Sequence, residues 1–173
     1  LKQREAKSFA DFLLPYQNIL IKYPNKIEYI NRLVHDYGTE ADKILKNIQK
    51  DTIIFETGFG ASGLPHLGTL SEVTRTVMIR NELIKRGINT KLICFADDLD
   101  ALRKTSISEL EKYIDYPLSS IPYKDTTFGN YNNDNLKSFI YKFGFTDITF
   151  LQASIEYKTE NFQNMIKKIF DHK

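Results

Sequence analysis

The sequence predicts an α/β chain, with a helical N-terminal segment over residues 1–50 and a parallel-sheet fold over residues 51–173. Three observations carry this. The apolar run Thr52-Ile53-Ile54-Phe55 leads into a stretch with three glycines and then into a helical pattern from Leu67 to Gly87. A second apolar run, Lys91-Leu92-Ile93-Cys94-Phe95, follows at once, so strand, helix and strand come in the order of a parallel βαβ unit. Each run ends in glycines or acids, at the carboxyl ends of strands, where ligands of such sheets bind.

In chain order, residues 2–14 hold a helical pattern with Phe9, Phe12 and Leu13 on one side, ended by Pro15. A second pattern carries Ile27, Ile30, Leu33 and Val34, and a third, with Thr39 as N-cap, carries Ala41, Ile44, Leu45 and Ile48. His35 and Asp36 stand at a helix end beside Gly38 and read as capping or surface residues. The run Thr52–Phe55 lacks polar alternation, as expected of a strand covered on both faces.

Gly58, Gly60 and Gly63 let the backbone turn tightly and come close to a ligand. Pro65 suits the first helical position, and Leu70, Val73, Val77 and Ile84 keep helical spacing up to the stop at Gly87. His66 and the free N–H groups then meet at the positive end of a helix dipole, an anion site. Beyond Lys104, Ser106 or Ser108 caps a short helix through Ile114, and Pro117, Pro122, Thr126 and Gly129 mark an irregular stretch. The run Tyr131-Asn132-Asn133-Asp134-Asn135 leads into a helix of Leu136, Phe139, Ile140 and Phe143 stopped by Gly144. A strand is expected from Phe145 to Leu151, and Thr159 caps a last helix striped by Phe162, Met165, Ile166, Ile169 and Phe170. Lys158, Lys167, Lys168 and Lys173 read as a solvated face rather than an RNA contact.

Composition narrows the classes. The chain has 173 residues, 42% of them hydrophobic, enough for a packed interior. With 24 basic and 22 acidic residues the net charge is only +2, so no global cationic surface marks a nucleic-acid binder. Cys94 is the single cysteine, which excludes an internal disulfide and fits a buried apolar role in a reducing cytoplasm. No membrane-spanning run and no signal pattern is read, so a soluble protein is expected.

Gly58-x-Gly60-x-x-Gly63 also matches the dinucleotide fingerprint formally, with Asp97 as its ribose-binding acid. Asp97 stands well past the ~20 residues that fingerprint requires, and the helix opens with Pro65-His66 rather than at the third glycine. The block from Glu56 to Thr69, with Ala61-Ser62-Gly63-Leu64-Pro65-His66-Leu67-Gly68-Thr69 at its core, resembles class I aminoacyl-tRNA synthetases and, within them, class I lysyl-tRNA synthetase. Phe95-Ala96-Asp97-Asp98-Leu99-Asp100-Ala101-Leu102-Arg103-Lys104 is similar to a second block of that family.

The resemblance implies a Rossmann-like fold and an enzyme that activates lysine with ATP and Mg²⁺ and attaches it to tRNA(Lys). It implies catalytic roles for His66 and Thr69 and ATP contacts at Ala61, Ser62, Gly63, Pro65, His66, Gly68 and Thr69. Glu56, Gly58, Gly60, Asp97, Asp98 and Asp100 are the candidates for holding the amino acid, with no single acid assigned to its ammonium. Some of these acids are expected to be structural, since the adjacent Asp97 and Asp98 point in different directions whatever the local backbone. Thr69 stands where many class I enzymes have a second His, and Ala61 where this branch commonly has a proline. No Lys-Met-Ser-Lys-Ser-like loop is found, so the chain reads as a fragment whose site a missing C-terminal portion or second chain completes. Alternatives are an inactive remnant, a nucleotide-binding module, or a small nucleotidyltransferase with the same His-x-Gly phosphate site.

Overall fold

The computed structural model describes residues 37–47 and 51–172. The helices expected on Phe9, Phe12 and Leu13 and on Ile27 to Val34, and the His35-Asp36 pair, lie outside the described residues. Residues 37–46 are helical, so Thr39 lies inside that helix and is not its N-cap. Arg86 ties this helix down, donating to the Gly38 carbonyl and pairing with Asp42.

The α/β fold then proceeds through β1 (Thr52–Phe59), α1 (Leu67–Lys85), β2 (Asn89–Ala96) and a 3₁₀ turn at Ser108–Tyr113. It continues with the short hairpin β3 (Pro122–Tyr123) and β4 (Thr126–Thr127), α2 (Phe128–Lys142), β5 (Thr149–Gln152), α3 (Ala153–Glu156) and α4 (Glu160–Asp171). β1, β2 and β5 form one parallel sheet in that order, with Thr52 opposite Asn89, Phe59 opposite Ala96, and Ala96 opposite Gln152. The expected βαβ unit and its parallel pairing are therefore present.

Several boundaries differ from the sequence reading for local reasons. β1 runs on to Phe59, so Gly58 belongs to the strand and only Gly60 and Gly63 lie in the turn. The 3₁₀ turn has Ile107 as its cap residue with no side-chain cap, and Thr105, not Ser106 or Ser108, accepts from the Ile107 N–H. The irregular stretch contains the β3–β4 hairpin, which turns at Lys124 with φ 50°. The asparagine-rich run lies inside α2, because Thr127 caps it at 3.2 Å from the Asn130 N–H. β5 starts only at Thr149, since the preceding residues are held by Arg80. Ile84 faces solvent and Leu83 takes the core position instead. Gly87 and Gly144 close α1 and α2 with φ near +80° (+78° and +83°), and Thr159 caps α4, as their chemistry dictates.

The core lies on one side of the sheet. Phe59, Leu92, Cys94 and Ala96 meet Val73 and Val77 of α1 and Phe128, Leu136 and Ile140 of α2. The alternate strand residues Ile54, Glu56, Ile93, Phe95 and Leu151 line the opposite face, which α1 and α2 leave uncovered; Ile54 is 62% exposed. Among the described residues no element gives Thr52–Phe55 the two-sided cover expected for it. A sheet that grows in one direction through crossovers of one hand places its helices on one face.

Arg80 is the polar rivet of this layer. Though it is 7% exposed, its Nε donates to Thr90 Oγ1 at 2.9 Å and its guanidinium to the Asp147 carbonyl, with an ion pair to the Asp147 carboxylate. Arg80→Ala is expected to lower stability by about 2 kcal/mol, from lost charge-assisted bonds and stem packing. That loss corresponds to a Tm drop of roughly 4–8 °C in thermal unfolding; an unchanged Tm would show that the network is not coupled to folding.

Cys94 is 1% exposed, and burial pushes its thiol up, with the Thr57 hydroxyl lowering it and Glu72 raising it. Thiol labelling of the native chain is therefore expected to be slower than in denaturant by roughly a thousandfold or more. Equal rates would contradict this core.

Candidate active site

The carboxyl ends of β1 and β2 bring the two sequence blocks together. The Asp97 N–H donates to the Phe59 carbonyl at 2.9 Å, extending the ladder one residue past the strands. Between them the loop from Gly60 to Pro65 leads into α1 and borders a cleft of about 400 Å³, lined by Gly58, Gly60, Ser62, Gly63, His66, Gly68, Thr69 and Glu72. A comparable cleft of about 430 Å³ lies at the other end of α1, between Ile84 and Phe145. Its one buried cation, Arg80, is already taken up by Thr90 and Asp147.

His66 is the N-cap of α1, and Pro65 precedes it outside the helix rather than at its first position. The imidazole Nδ1 accepts from the Gly68 N–H at 3.0 Å, and Thr69 Oγ1 accepts from the His66 N–H at 3.5 Å, a reciprocal capping box. His66 thus caps the helix, and the cap specifies the tautomer. A ring that accepts at Nδ1 carries its proton on Nε2, leaving a donor on the cleft side of the helix end. Gly68 makes the arrangement possible: a Cβ there would stand 2.8 Å from His66 Cε1 and 3.0 Å from Nδ1. Thr69 is buried beneath the cap, so it supports His66 rather than opening onto solvent.

The loop glycines behave differently. None of Gly58, Gly60 and Gly63 has a left-handed φ, and a Cβ on any of them would meet nothing within 4 Å. The fold itself does not require glycine at these places; the space they leave is open cleft. Ala61 faces the other way and is wholly buried in the core, so its methyl offers no ATP contact. Its carbonyl accepts from Asn132 Nδ2 at 2.8 Å, an anchor reaching across 71 residues from the buried face of α2. Ser62 is exposed at the loop tip.

Of the acids, Asp98 is fully buried. Its carboxylate accepts from the Ser154 N–H at 2.8 Å, from Ser154 Oγ at 2.6 Å and from Gln152 Nε2 at 3.4 Å, and Gln152 also donates to Asn130 Oδ1. Asp98 staples β2 to the start of α3, so direct amino-acid contact, one of the expectations for it, is not open to it. Asp97, its neighbour, points outward as do Asp100 and, on the uncovered sheet face, Glu56. Sequence reasoning missed Glu72, whose carboxylate accepts from the Gly58 N–H at 3.1 Å, and missed Asn132, Gln152 and Ser154. Glu72 lies two turns into α1 on the side of Gly68 and Thr69, a spacing that would have found it.

Partial desolvation, then Asp100, then Asp98 push the Asp97 carboxyl above the usual carboxylate range, against a lowering bond from the Leu99 backbone. Because the folded chain holds this proton more tightly than the unfolded one, the ionised group costs stability above its ordinary titration range and costs none once protonated. Asp100→Asn is expected to move the Asp97 titration down without returning it fully to normal, read by carboxyl NMR. No movement would mean that the two carboxylates are not coupled.

The family model described as tRNA synthetases class I (K) matches residues 35–173, most of the chain and both blocks. The chain belongs to this family. Its match opens at residue 35, upstream of the first block. Similar relatives are the lysine–tRNA ligase of Rickettsia africae, 41% identical over 148 residues, and that of Rickettsia bellii, 40% identical over 146 residues. Each alignment covers 76% of this chain and 28% of the relative. The synthetase chain thus spans about 28% of the length of the curated relatives it matches.

Proposed function

We propose that this chain is the front part of a class I lysine–tRNA ligase, holding ATP and lysine over the carboxyl ends of β1 and β2. The observation that carries this reading is the unfilled glycine cradle beside a capped His66, joined to the Asp97 block by the Phe59–Asp97 hydrogen bond. In the reaction, a carboxylate oxygen of lysine attacks the α-phosphorus of ATP. The bond from that phosphorus to the bridging oxygen breaks, and pyrophosphate leaves with the electron pair. The nucleophile is already ionised at neutral pH, so no base is needed and catalysis rests on alignment and charge stabilisation.

His66 Nε2–H and the open N–H groups at the start of α1 donate to phosphate oxygens as charge develops, while Ser62 and Gly63 border the phosphates from the loop. Glu72, Asp97 and Asp100 supply the negative field for the two ammonium groups of lysine, and Asp98 positions Asp97. Transfer of the lysyl group to tRNA(Lys) follows in the complete enzyme, in the cytoplasm where translation runs.

Mg²⁺ would supply charge neutralisation on the phosphates. Such an ion would be held largely by the phosphates and water; among the described residues no cluster of three or more His, Cys, Asp or Glu side chains is placed to hold a metal. Among the same residues no helix is long and apolar enough to cross a membrane.

The test is lysine-dependent ATP–pyrophosphate exchange by this segment joined to the remainder of a family member. Exchange with lysine supports the reading; exchange driven by a different acceptor points to a nucleotidyltransferase, and nucleotide binding without turnover points to a binding module. The 173-residue chain by itself is expected to bind ATP weakly and to show no exchange.

A further inference from the structure

We infer that Asn132 is a positioning residue of the cleft: from the first turns of α2 it fixes the glycine loop at Ala61, while the same turns hold the Asp98 block. The inference rests on the proposed function and adds to it what keeps the ATP side and the acid side of the cleft in register.

The loop Gly60–Pro65 has little of its own to hold it. Ala61 is its only buried residue, and Gly60 and Gly63 have no left-handed φ and nothing within 4 Å of an added Cβ. Unstrained glycines leave the backbone many conformations of similar energy. Among the described residues, the one side-chain hydrogen bond that ties this loop to another element runs from Asn132 Nδ2 to the Ala61 carbonyl, at 2.8 Å. Asn132 is 1% exposed and Ala61 wholly buried, so water does not compete for either partner.

The same turns of α2 reach the second block. Thr127 caps the helix at the Asn130 N–H and so sets its register. A Cβ on Gly129 would stand 3.2 Å from Asp98 Cβ and from the Leu118 carbonyl, so the helix start lies directly against the Asp98 segment. Asn130 Oδ1 accepts from Gln152 Nε2 at 2.8 Å, and the same Nε2 reaches the Asp98 carboxylate at 3.4 Å. One helix start therefore bears on both blocks, through Asn132 on the loop ahead of α1 and through Gly129 and Asn130 on the segment beyond β2. Asn132 acts through the Ala61 carbonyl, and its contribution is a loop already in place when ATP arrives.

The first measurement needs no substitution. In the 173-residue chain without ATP, backbone ¹⁵N relaxation at Ser62 and Gly63 should give order parameters near the ~0.85 of rigid structure. Values below about 0.6 in the parent would overturn the inference, because the loop would not be held. Asn132→Leu keeps the branching of the side chain and removes the donor, and it should bring both residues below that limit. In the chain joined to the remainder of a family member, the same substitution should lower kcat for lysine-dependent pyrophosphate exchange about a hundredfold, the order that misplacement by about an ångström carries. The KM for lysine should change little.

Leu136→Ala, one turn further along the buried face of α2, supplies the comparison. It should lower the Tm at least as far, through the cavity it leaves, yet keep a rigid loop and a kcat near that of the parent. Equal kcat losses in the two variants, or a rigid loop and parental kcat in folded Asn132→Leu, would overturn the inference. No lysine-dependent exchange in the parent removes the proposed function instead, and relaxation at Ser62 and Gly63 then still decides whether Asn132 holds the loop.

Discussion

Replacing His66 with Ala is expected to slow lysine adenylation by roughly a hundredfold or more in an enzyme completed with the rest of the fold, with a much smaller change in the KM for lysine. The magnitude is that of removing one pre-aligned donor from a developing oxyanion. Loss of the cap should cost at most about 1–2 kcal/mol of stability, so the protein stays folded. Two further variants separate chemistry from capping. His66→Asn keeps an oxygen able to accept from the Gly68 N–H but offers no donor at the position of Nε2, so it should retain the stability and lose the rate. Gly68→Ala leaves the imidazole in place chemically but drives a Cβ to within 3 Å of it, so the ring must swing away from the helix end. Both should resemble His66→Ala in pyrophosphate exchange. Near-normal adenylation in His66→Ala would remove this residue from the mechanism and leave it a cap.

The second large effect is expected at the cradle. Gly60→Val should reduce ATP-dependent activation at least about a hundredfold, because an isopropyl group would occupy the space where substrate must come close, and misplacement by about an ångström carries a penalty of that order. Stability should be unchanged or slightly higher, since Gly60 has no left-handed φ and no neighbour within 4 Å of a new Cβ. This separation of stability from activity is the distinguishing outcome. Most glycine replacements that abolish function do so by damaging the turn; here thermal unfolding should be intact while nucleotide binding, followed by calorimetry, is lost. Retained ATP affinity in a folded Gly60→Val chain would place the nucleotide elsewhere. Gly58→Val, two residues earlier and within β1, should act more on lysine than on ATP.

Much of the fold was legible from local chemistry. The β-branched run at Thr52–Phe55, the helix from Leu67 closed by Gly87, the strand ending at Ala96 and the cap at Thr159 are written in residues a few positions apart. The family blocks were legible for the same reason, since each is one continuous strand end with the turn that follows. Where the reading slipped, a distant contact decided the matter. Phe145 to Ile148 looked like the start of a strand, yet Arg80 holds the backbone there at Asp147 and delays β5 to Thr149.

The candidate site divides along the same line. Sequence alone determined the chemical identity of its parts: the glycines without Cβ atoms, a His at the start of a helix, and acids just beyond a strand. Those properties are local, because backbone freedom and capping depend on neighbours within a turn. Only the tertiary structure decided that Asp98 turns inward to Ser154 while Asp97 stays outside, that Asn132 anchors the loop at Ala61, and that Glu72 reaches Gly58. It also decided that, among the described residues, β1 stands at the edge of the sheet. Each of these outcomes depends on strand order and on which side of the sheet the helices pack, and residues far apart in the chain carry no local mark of the partner that folding will bring to them.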